Sequence, residues 1–172
     1  MGHVDTERRE LWDIAPLPVG HPEAAALLRA YYEDIVGRYH GRRATREEVD
    51  AALAEEPSDD LAHPTGHFLV GRREGRPAGC AGLRVLDERT AELTRLFVLP
   101  GARGTGGGAR LLAAAERAAA EVLGARVVRL DTRADLVEAR ALYARHGYTE
   151  IPDYNGGKYA DHWFEKRLSP SP

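Results

Sequence analysis

Val98-Leu-Pro-Gly-Ala-Arg-Gly-Thr-Gly-Gly-Gly-Ala-Arg-Leu-Leu112 passes from a strand-like run through four closely spaced glycines, 104, 106, 107 and 108, into a helix-forming segment. Glycine reaches backbone conformations closed to other residues and leaves the main chain bare, so neighbouring N–H groups can turn toward one point. The helix that follows adds the positive end of its dipole to that point. The stretch therefore predicts a phosphate site for an anionic cofactor. No lysine followed by serine or threonine closes the run, so it is not a nucleotide P-loop. A plain turn is the alternative reading, but it does not require the entropic cost of four glycines.

Downstream, Leu111, Leu112, Ala115, Ala119 and Val122 share one helical face opposite Arg110, Arg117 and Glu121, and Gly124 ends the helix. Arg126 to Asp131 reads as a strand, Asp135 to His146 as a helix closed by Gly147, and Tyr148 to Ile151 and Tyr159 to Lys166 as strands around an Asn155-Gly156-Gly157 turn. Upstream, Leu11 to Leu17 predicts an opening strand. Pro22 to Val36 predicts a helix stopped by Gly37, and Thr45 with Glu48 forms a capping box for a second helix running to about Glu56. Pro57 to Pro64 is a loop, and three antiparallel strands follow around Phe68 and Val70, around Cys80 to Val85, and from Ala91 to Leu99. This order predicts an α/β chain with a central mixed, mostly antiparallel sheet of about seven strands and helices on both faces.

A chain of 172 residues suits one core, so residues 1–168 are expected to form one domain, with a loose N-terminal decapeptide and a disordered tail over 169–172. The 24 basic and 27 acidic residues are interleaved, which argues against a nucleic-acid partner. No apolar run reaches membrane-spanning length, so no membrane partner is expected and the cytoplasm is the expected location. Cys80, the single cysteine, lies among small residues and reads as buried strand. His63 and His67 lack the carboxylate or cysteine pattern of a metal site, so no metal is expected.

Arg103-Gly-Thr-Gly106-Gly-Gly108 fits an RxxGxG signature, and Ala139-Arg-Ala-Leu-Tyr143-Ala-Arg-His-Gly147-Tyr148 resembles an ALYxxxGF helix-to-strand signature. With Ala91 to Val98 as a fourth strand, the chain resembles the GNAT superfamily of N-acetyltransferases over most of residues 91–151. The resemblance implies acetyl-CoA as cosubstrate, its diphosphate held by Arg103, Gly104, Thr105, Gly106, Gly107, Gly108 and Ala109. It also implies that backbone at Phe97 and Val98, where the fourth and fifth strands splay, pairs with the pantetheine arm and offers an N–H to the thioester carbonyl. Many relatives carry an asparagine where this chain has Leu136, so Asp131 and Thr132 are the candidate polar contacts to that arm.

Acetyl transfer to an amine needs a base for the amine and an acid for the leaving thiolate. Tyr143 matches the family tyrosine that reaches the CoA sulfur, with a core aromatic as its bland alternative. Glu92 stands where some members carry a carboxylate base; the alternative is an ion pair with Arg84 across the neighbouring strand. A strict two-residue period puts Glu92, Thr94, Leu96 and Val98 on one face unless a bulge intervenes. Arg95 is a candidate grip for a substrate carboxylate, and Tyr31, Tyr32, Tyr154 and Tyr159 are candidates for the acceptor side, with Asn155 and His162 nearby. That aromatic and neutral set suits a small-molecule or amino-acid-like primary amine, acetylated directly in a ternary complex. The other reading is a CoA-binding module of the same fold without catalysis. Relatives are often dimers, so a homodimer is a further expectation.

Overall fold

The seven predicted strands and four predicted helices all form, in a computed structural model that describes residues 12–169. The expectations for the N-terminal decapeptide, Leu11 and residues 170–172 lie outside the described residues. The elements run β1 (Asp13–Pro16), α1 (Pro22–His40), α2 (Arg46–Glu55), β2 (Gly66–Arg73), β3 (Arg76–Val85), β4 (Thr90–Val98), a 3-10 turn (Pro100–Ala102), α3 (Gly107–Glu121), β5 (Val127–Thr132), α4 (Val137–Arg145), β6 (Thr149–Ile151) and β7 (His162–Arg167). They build one seven-stranded sheet in the order β1-β2-β3-β4-β5-β7-β6, in which only the β4–β5 pair is parallel.

Local chemistry accounts for the boundaries. Pro22 occupies the first turn of α1, and the His21 ring accepts the Glu23 N–H at 3.1 Å. The helix continues past Gly37 and ends at Gly41 in the left-handed conformation, φ 68°. Gly37 is small for another reason: a Cβ there would meet the Arg42 carbonyl at 3.0 Å as the chain folds back over the last turn. The Thr45–Glu48 capping box forms in both directions. Glu74 and Gly75, both at positive φ, make the tight β2–β3 hairpin, as the right-handed twist of paired strands prefers.

Two apolar layers sandwich the sheet. Against one face α3 packs Leu111, Leu112, Ala115 and Ala119 onto Leu83, Leu93, Val128 and Leu130, with Tyr143 of α4 in the same cluster. Against the other, α1 packs Ala24, Leu27 and Leu28 onto Phe68, Val70, Cys80 and Phe97. Cys80 is fully buried, as its small neighbours predicted, and burial pushes its thiol up to about 12.

A bulge in β4 sets up the rest. Cys80 pairs with Phe97 but Gly82 pairs with Thr94, so two residues of β4, Arg95 and Leu96, oppose one of β3. Arg95 takes φ 53°, in the left-handed region. The extra residue resets the alternation: Leu96 and Val98 pack with Ala91 and Leu93 on the α3 side, while Phe97 turns to the α1 side. The bulge named as the exception to the two-residue period thus intervenes, and Glu92 does not share a face with Leu96 and Val98.

Candidate active site

The parallel pairing of β4 and β5 lasts only from Thr90–Val127 to Glu92–Arg129. Beyond it the strands diverge, and a cleft of about 1320 Å³ opens between them, roofed by α1 and α2 and walled by α3, α4 and the segment after Gly157. A pocket at the splayed carboxyl ends of neighbouring strands is a preferred place for a ligand in a mixed sheet.

At one end lies the glycine run. Gly104 (φ 78°) and Gly106 (φ 82°) take left-handed conformations, and a Cβ on either would meet nothing within 4 Å. Gly106 is the N-cap of α3 and no side chain caps that terminus, so its first N–H groups are left for a ligand. Arg103, Gly104, Gly106, Gly107, Gly108 and Ala109 all line the cleft. Arg103 rests on the Phe97 ring, 6.0 Å from guanidinium carbon to centroid, with Nε donating to the Val98 carbonyl at 3.2 Å and Nη2 3.5 Å from Asp34. Bare backbone, an open helix start and a nearby guanidinium fit a diphosphate.

Two members of the run have structural duties that the motif conceals. Thr105 does not line the cleft: its hydroxyl donates to the Ala102 carbonyl at 2.6 Å and accepts the Trp12 indole N–H at 3.0 Å. Gly107 lies against that same indole, where a Cβ would sit 2.2 Å from Trp12 Cζ2. Trp12 thus explains one glycine that the sequence assigned to close phosphate approach. No feature of the sequence linked positions 12 and 107.

The middle of the cleft holds Phe97, Val98, Thr132 and Tyr143. Leu99 donates its N–H to Ala78 of β3 at 2.8 Å, and successive amides of a strand point to opposite edges, so the Val98 N–H faces the gap toward β5. Thr132 is buried, and its carbonyl accepts the Asp161 N–H at 3.0 Å. Tyr143 is 6% exposed, with its ring 5.7 Å from Tyr148 and 6.3 Å from Phe164. Burial raises its phenol above the usual tyrosine range, which keeps it protonated. The core reading of Tyr143 holds, its ring packing inward, and the residue also lines the cleft wall.

At the far end Glu92, 7% exposed, accepts from Arg84 Nη1 at 2.8 Å, from the Tyr154 hydroxyl at 2.7 Å and from Asn155 Nδ2 at 3.4 Å. The Glu92–Arg84 pair expected across the strands therefore forms, and Arg84 also binds Asp60. Asn155 Nδ2 also donates to Asp131 Oδ2 at 2.6 Å, so one amide holds both carboxylates. Its orientation is fixed from behind, since Asn155 Oδ1 accepts the Trp163 indole N–H at 2.9 Å and the Gly157 N–H at 3.0 Å. Desolvation, opposed by the Asn155 bond, holds the Asp131 carboxyl above the usual aspartate range.

The remaining sequence candidates divide. Tyr31 lines the cleft, stacks edge-on to Phe97 at 5.9 Å, and is pushed up to about 12 by burial. Tyr159 also lines it and packs edge-on against Tyr39 of α1 at 5.7 Å; it precedes β7, whose first residue is His162 and not Tyr159 as the sequence predicted. Tyr32 lies behind the wall, its hydroxyl donating to Glu56 Oε2 at 2.9 Å. Tyr154 lies behind Glu92 with its ring under Arg129. Arg95, read from sequence as a grip for a substrate carboxylate, has its guanidinium engaged by Ser58 Oγ, Thr94 Oγ1 and the Glu56 carbonyl at 2.7–3.0 Å; it ties the segment after α2 to the bulge. The neutral, aromatic character expected of the acceptor end is also corrected: Glu55, Glu56, Asp59 and Asp60 line it beside Glu92 and Asp131, opposed by Arg84, Arg95 and Lys158. These carboxylates come from α2 and its loop, which the sequence motifs do not include.

Among the described residues, no group of three or more His, Cys, Asp or Glu side chains could hold a metal ion, and no helix is long and apolar enough to cross a membrane.

Known proteins share this architecture. An N-acetyltransferase of Mycobacterium tuberculosis, itself uncharacterised, is 36% identical over 101 residues, covering 58% of this chain and 64% of the relative, so the match spans less than two thirds of that protein's length. The PaiA N-acetyltransferase of Thermoplasma acidophilum, solved in complex with coenzyme A, superposes with a TM-score of 0.71 at 20% identity, covering 91% of this chain and 99% of that one. A Klebsiella pneumoniae chain described as an acyl-CoA N-acyltransferase gives a TM-score of 0.73 at 25% identity, covering 92% and 99%. The model of the acetyltransferase (GNAT) family matches residues 23–148, most of the sheet together with the glycine run and α4, and the chain belongs to that family.

Proposed function

We propose that this chain is an acetyl-CoA-dependent N-acetyltransferase that acetylates a primary amine of a small-molecule or amino-acid-like acceptor directly, within a ternary complex. The observation that carries this reading is the termination of β4–β5 pairing at Glu92–Arg129, which joins an uncapped helix start at one end of a single cleft to a set of carboxylates at the other. Acetyl-CoA supplies an activated acyl group on a thioester. The 103–109 backbone, Arg103 and the first amides of α3 hold its diphosphate, while Thr132 and the strand edge at Phe97 and Val98 hold its pantetheine arm. The Val98 N–H stabilises negative charge on the acyl oxygen, and a donor so placed is worth about 10²–10³ in rate.

Tyr143, protonated and in the cleft wall, supplies the proton for the departing sulfur. The proton lost by the amine goes to the carboxylate end, where Glu92 and Asp131 are held by one asparagine. Tyr31 and Tyr159 border the acceptor there, and the preponderance of acid over base favours an acceptor that arrives as a cation. Arg84 and Arg95 keep this wall in place through their bonds to Asp60, Glu92, Ser58 and Glu56.

Thiol release during incubation with acetyl-CoA and a panel of amines tests the reading. Turnover with primary amines supports it; silence across the panel with acetyl-CoA binding intact favours a binding module. Absence of any binding of coenzyme A or acetyl-CoA would remove both.

A further inference from the structure

Two carboxylates meet at the acceptor end, and they are not equivalent. Both Glu92 oxygens are engaged: Oε1 by Arg84, Oε2 by Tyr154 and Asn155. Asp131 accepts from Asn155 through Oδ2 alone, and among the described residues its Oδ1 makes no hydrogen bond. Asp131 stands at the open end of β5, two residues past the last β4–β5 pair, where the strands have parted. Its charge acts on the phenols of Tyr31, Tyr143 and Tyr154, and that of Glu92 acts on Tyr154 and on Asp131 itself. Asp131 is therefore the carboxylate of the cleft with an oxygen left for an acceptor, whereas both oxygens of Glu92 are taken.

We propose that Asp131 accepts the proton of the acceptor ammonium and that Glu92, with Asn155, is a positioning pair that orients Asp131. The inference rests on the acetyltransferase reading above. The acceptor arrives as an ammonium. One N–H bond breaks and its proton forms an O–H bond on Asp131 Oδ1. The electron pair left on nitrogen forms the C–N bond to the acyl carbon, and the C–S bond breaks with its electrons leaving on sulfur. Tyr143 gives its phenolic proton to that sulfur and regains one from the nitrogen, which must lose a second proton as the amide forms. Asp131 then releases its proton to solvent. Charge and atoms balance with no further reactant.

The groups around Asp131 set the direction of its titration. Glu92 on β4 and Glu56 after α2 raise it along with desolvation, while Asn155 and Arg84 on β3 lower it, and desolvation is the largest contribution. Tyr31 on α1, Tyr143 on α4 and Tyr154 before β7 interact electrostatically with it, and all three are held neutral by raised phenols. A base raised toward the working pH accepts a proton more readily than an ordinary aspartate.

The test compares Asp131→Asn and Glu92→Gln with the parent chain. Carboxyl-carbon NMR of the unliganded protein should give Asp131 a midpoint above the ordinary aspartate value, and Glu92→Gln should lower it by removing a neighbouring negative charge. In pH profiles of kcat/KM, Asp131→Asn should lose the acidic limb and fall by about 10²–10⁴, the usual contribution of a general base. Glu92→Gln should keep that limb, moved to lower pH, and lose no more than about tenfold in kcat, well short of a general base's share. Calorimetry should find acetyl-CoA affinity unchanged in both. If Asp131→Asn does not fold, Asp131→Glu should retain an acidic limb at reduced kcat. Persistence of the limb in Asp131→Asn, or its loss in Glu92→Gln alone, overturns the proposal; failure of the parent chain to bind acetyl-CoA overturns the acetyltransferase reading instead.

Discussion

Replacing Gly107 by alanine separates two reasons for the glycine run. The added methyl carbon would lie 2.2 Å from Trp12 Cζ2 and 2.6 Å from Cη2, against the about 3.5–4.0 Å at which carbon atoms attract one another. The indole has little room to retreat. Trp12 is 6% exposed, its other edge rests on Gly71, where a Cβ would lie 2.8 Å from Cζ3, and its N–H is tied to Thr105. Overpacking of this kind costs about 1–3 kcal/mol. At about 2–4 °C per kcal/mol for a chain of this size, the melting temperature should fall by roughly 2–12 °C. Gly106→Ala is the matched control: its Cβ meets no neighbour, so its cost is the left-handed backbone alone, about 1–2 kcal/mol. In a Trp12→Ala background the Gly107→Ala increment should nearly vanish, a coupling that a double-mutant cycle of denaturation free energies measures directly. An equal increment with and without the indole would refute the packing argument. Lost coenzyme A affinity at unchanged stability would return Gly107 to the phosphate role read from sequence.

Other outcomes follow from the same geometry. Tyr143→Phe should lower kcat by about 10²-fold or more with acetyl-CoA affinity nearly intact, and unchanged turnover would remove the phenol from the chemistry. A bulky residue at Gly106 should abolish coenzyme A binding, as calorimetry on the folded variant would show. Leu111→Ala, at a fully buried site between α3 and the sheet, should cost about 2–5 kcal/mol in denaturant unfolding. The Glu48 carboxyl is lowered from 4.5 to about 2 by Arg42 and by the Thr45 cap. Its stabilising effect is therefore full above about pH 4.5 and lost as pH falls through 2, so the melting-temperature gap between the parent chain and Glu48→Gln should close over that window. A gap independent of pH would show that the charge is not its origin.

By itself the sequence determined the elements and the glycine run. Turn chemistry at Glu74-Gly75, the Thr45–Glu48 cap, the helical faces and the glycine run are encoded by residues close together in the chain, and their conformational preferences act locally. Even there, Gly37 reads as a stop because a glycine kept small for backbone that folds back on it looks, in sequence, like one that ends a helix. Only the tertiary structure decided the carboxylate end of the cleft. The β4 bulge at Arg95 reverses which residues share a face, because a single extra residue shifts a period of two. The joining of Glu92, Asn155 and Asp131 depends on β5, β4 and the loop before β7 meeting in space. Likewise Trp12 against Gly107 and Arg95 against Ser58 and Glu56 join positions that no local preference connects. The physical reason is that long-range contacts are fixed by how the layers pack, whereas periodicity and turn signals report only what each segment does by itself.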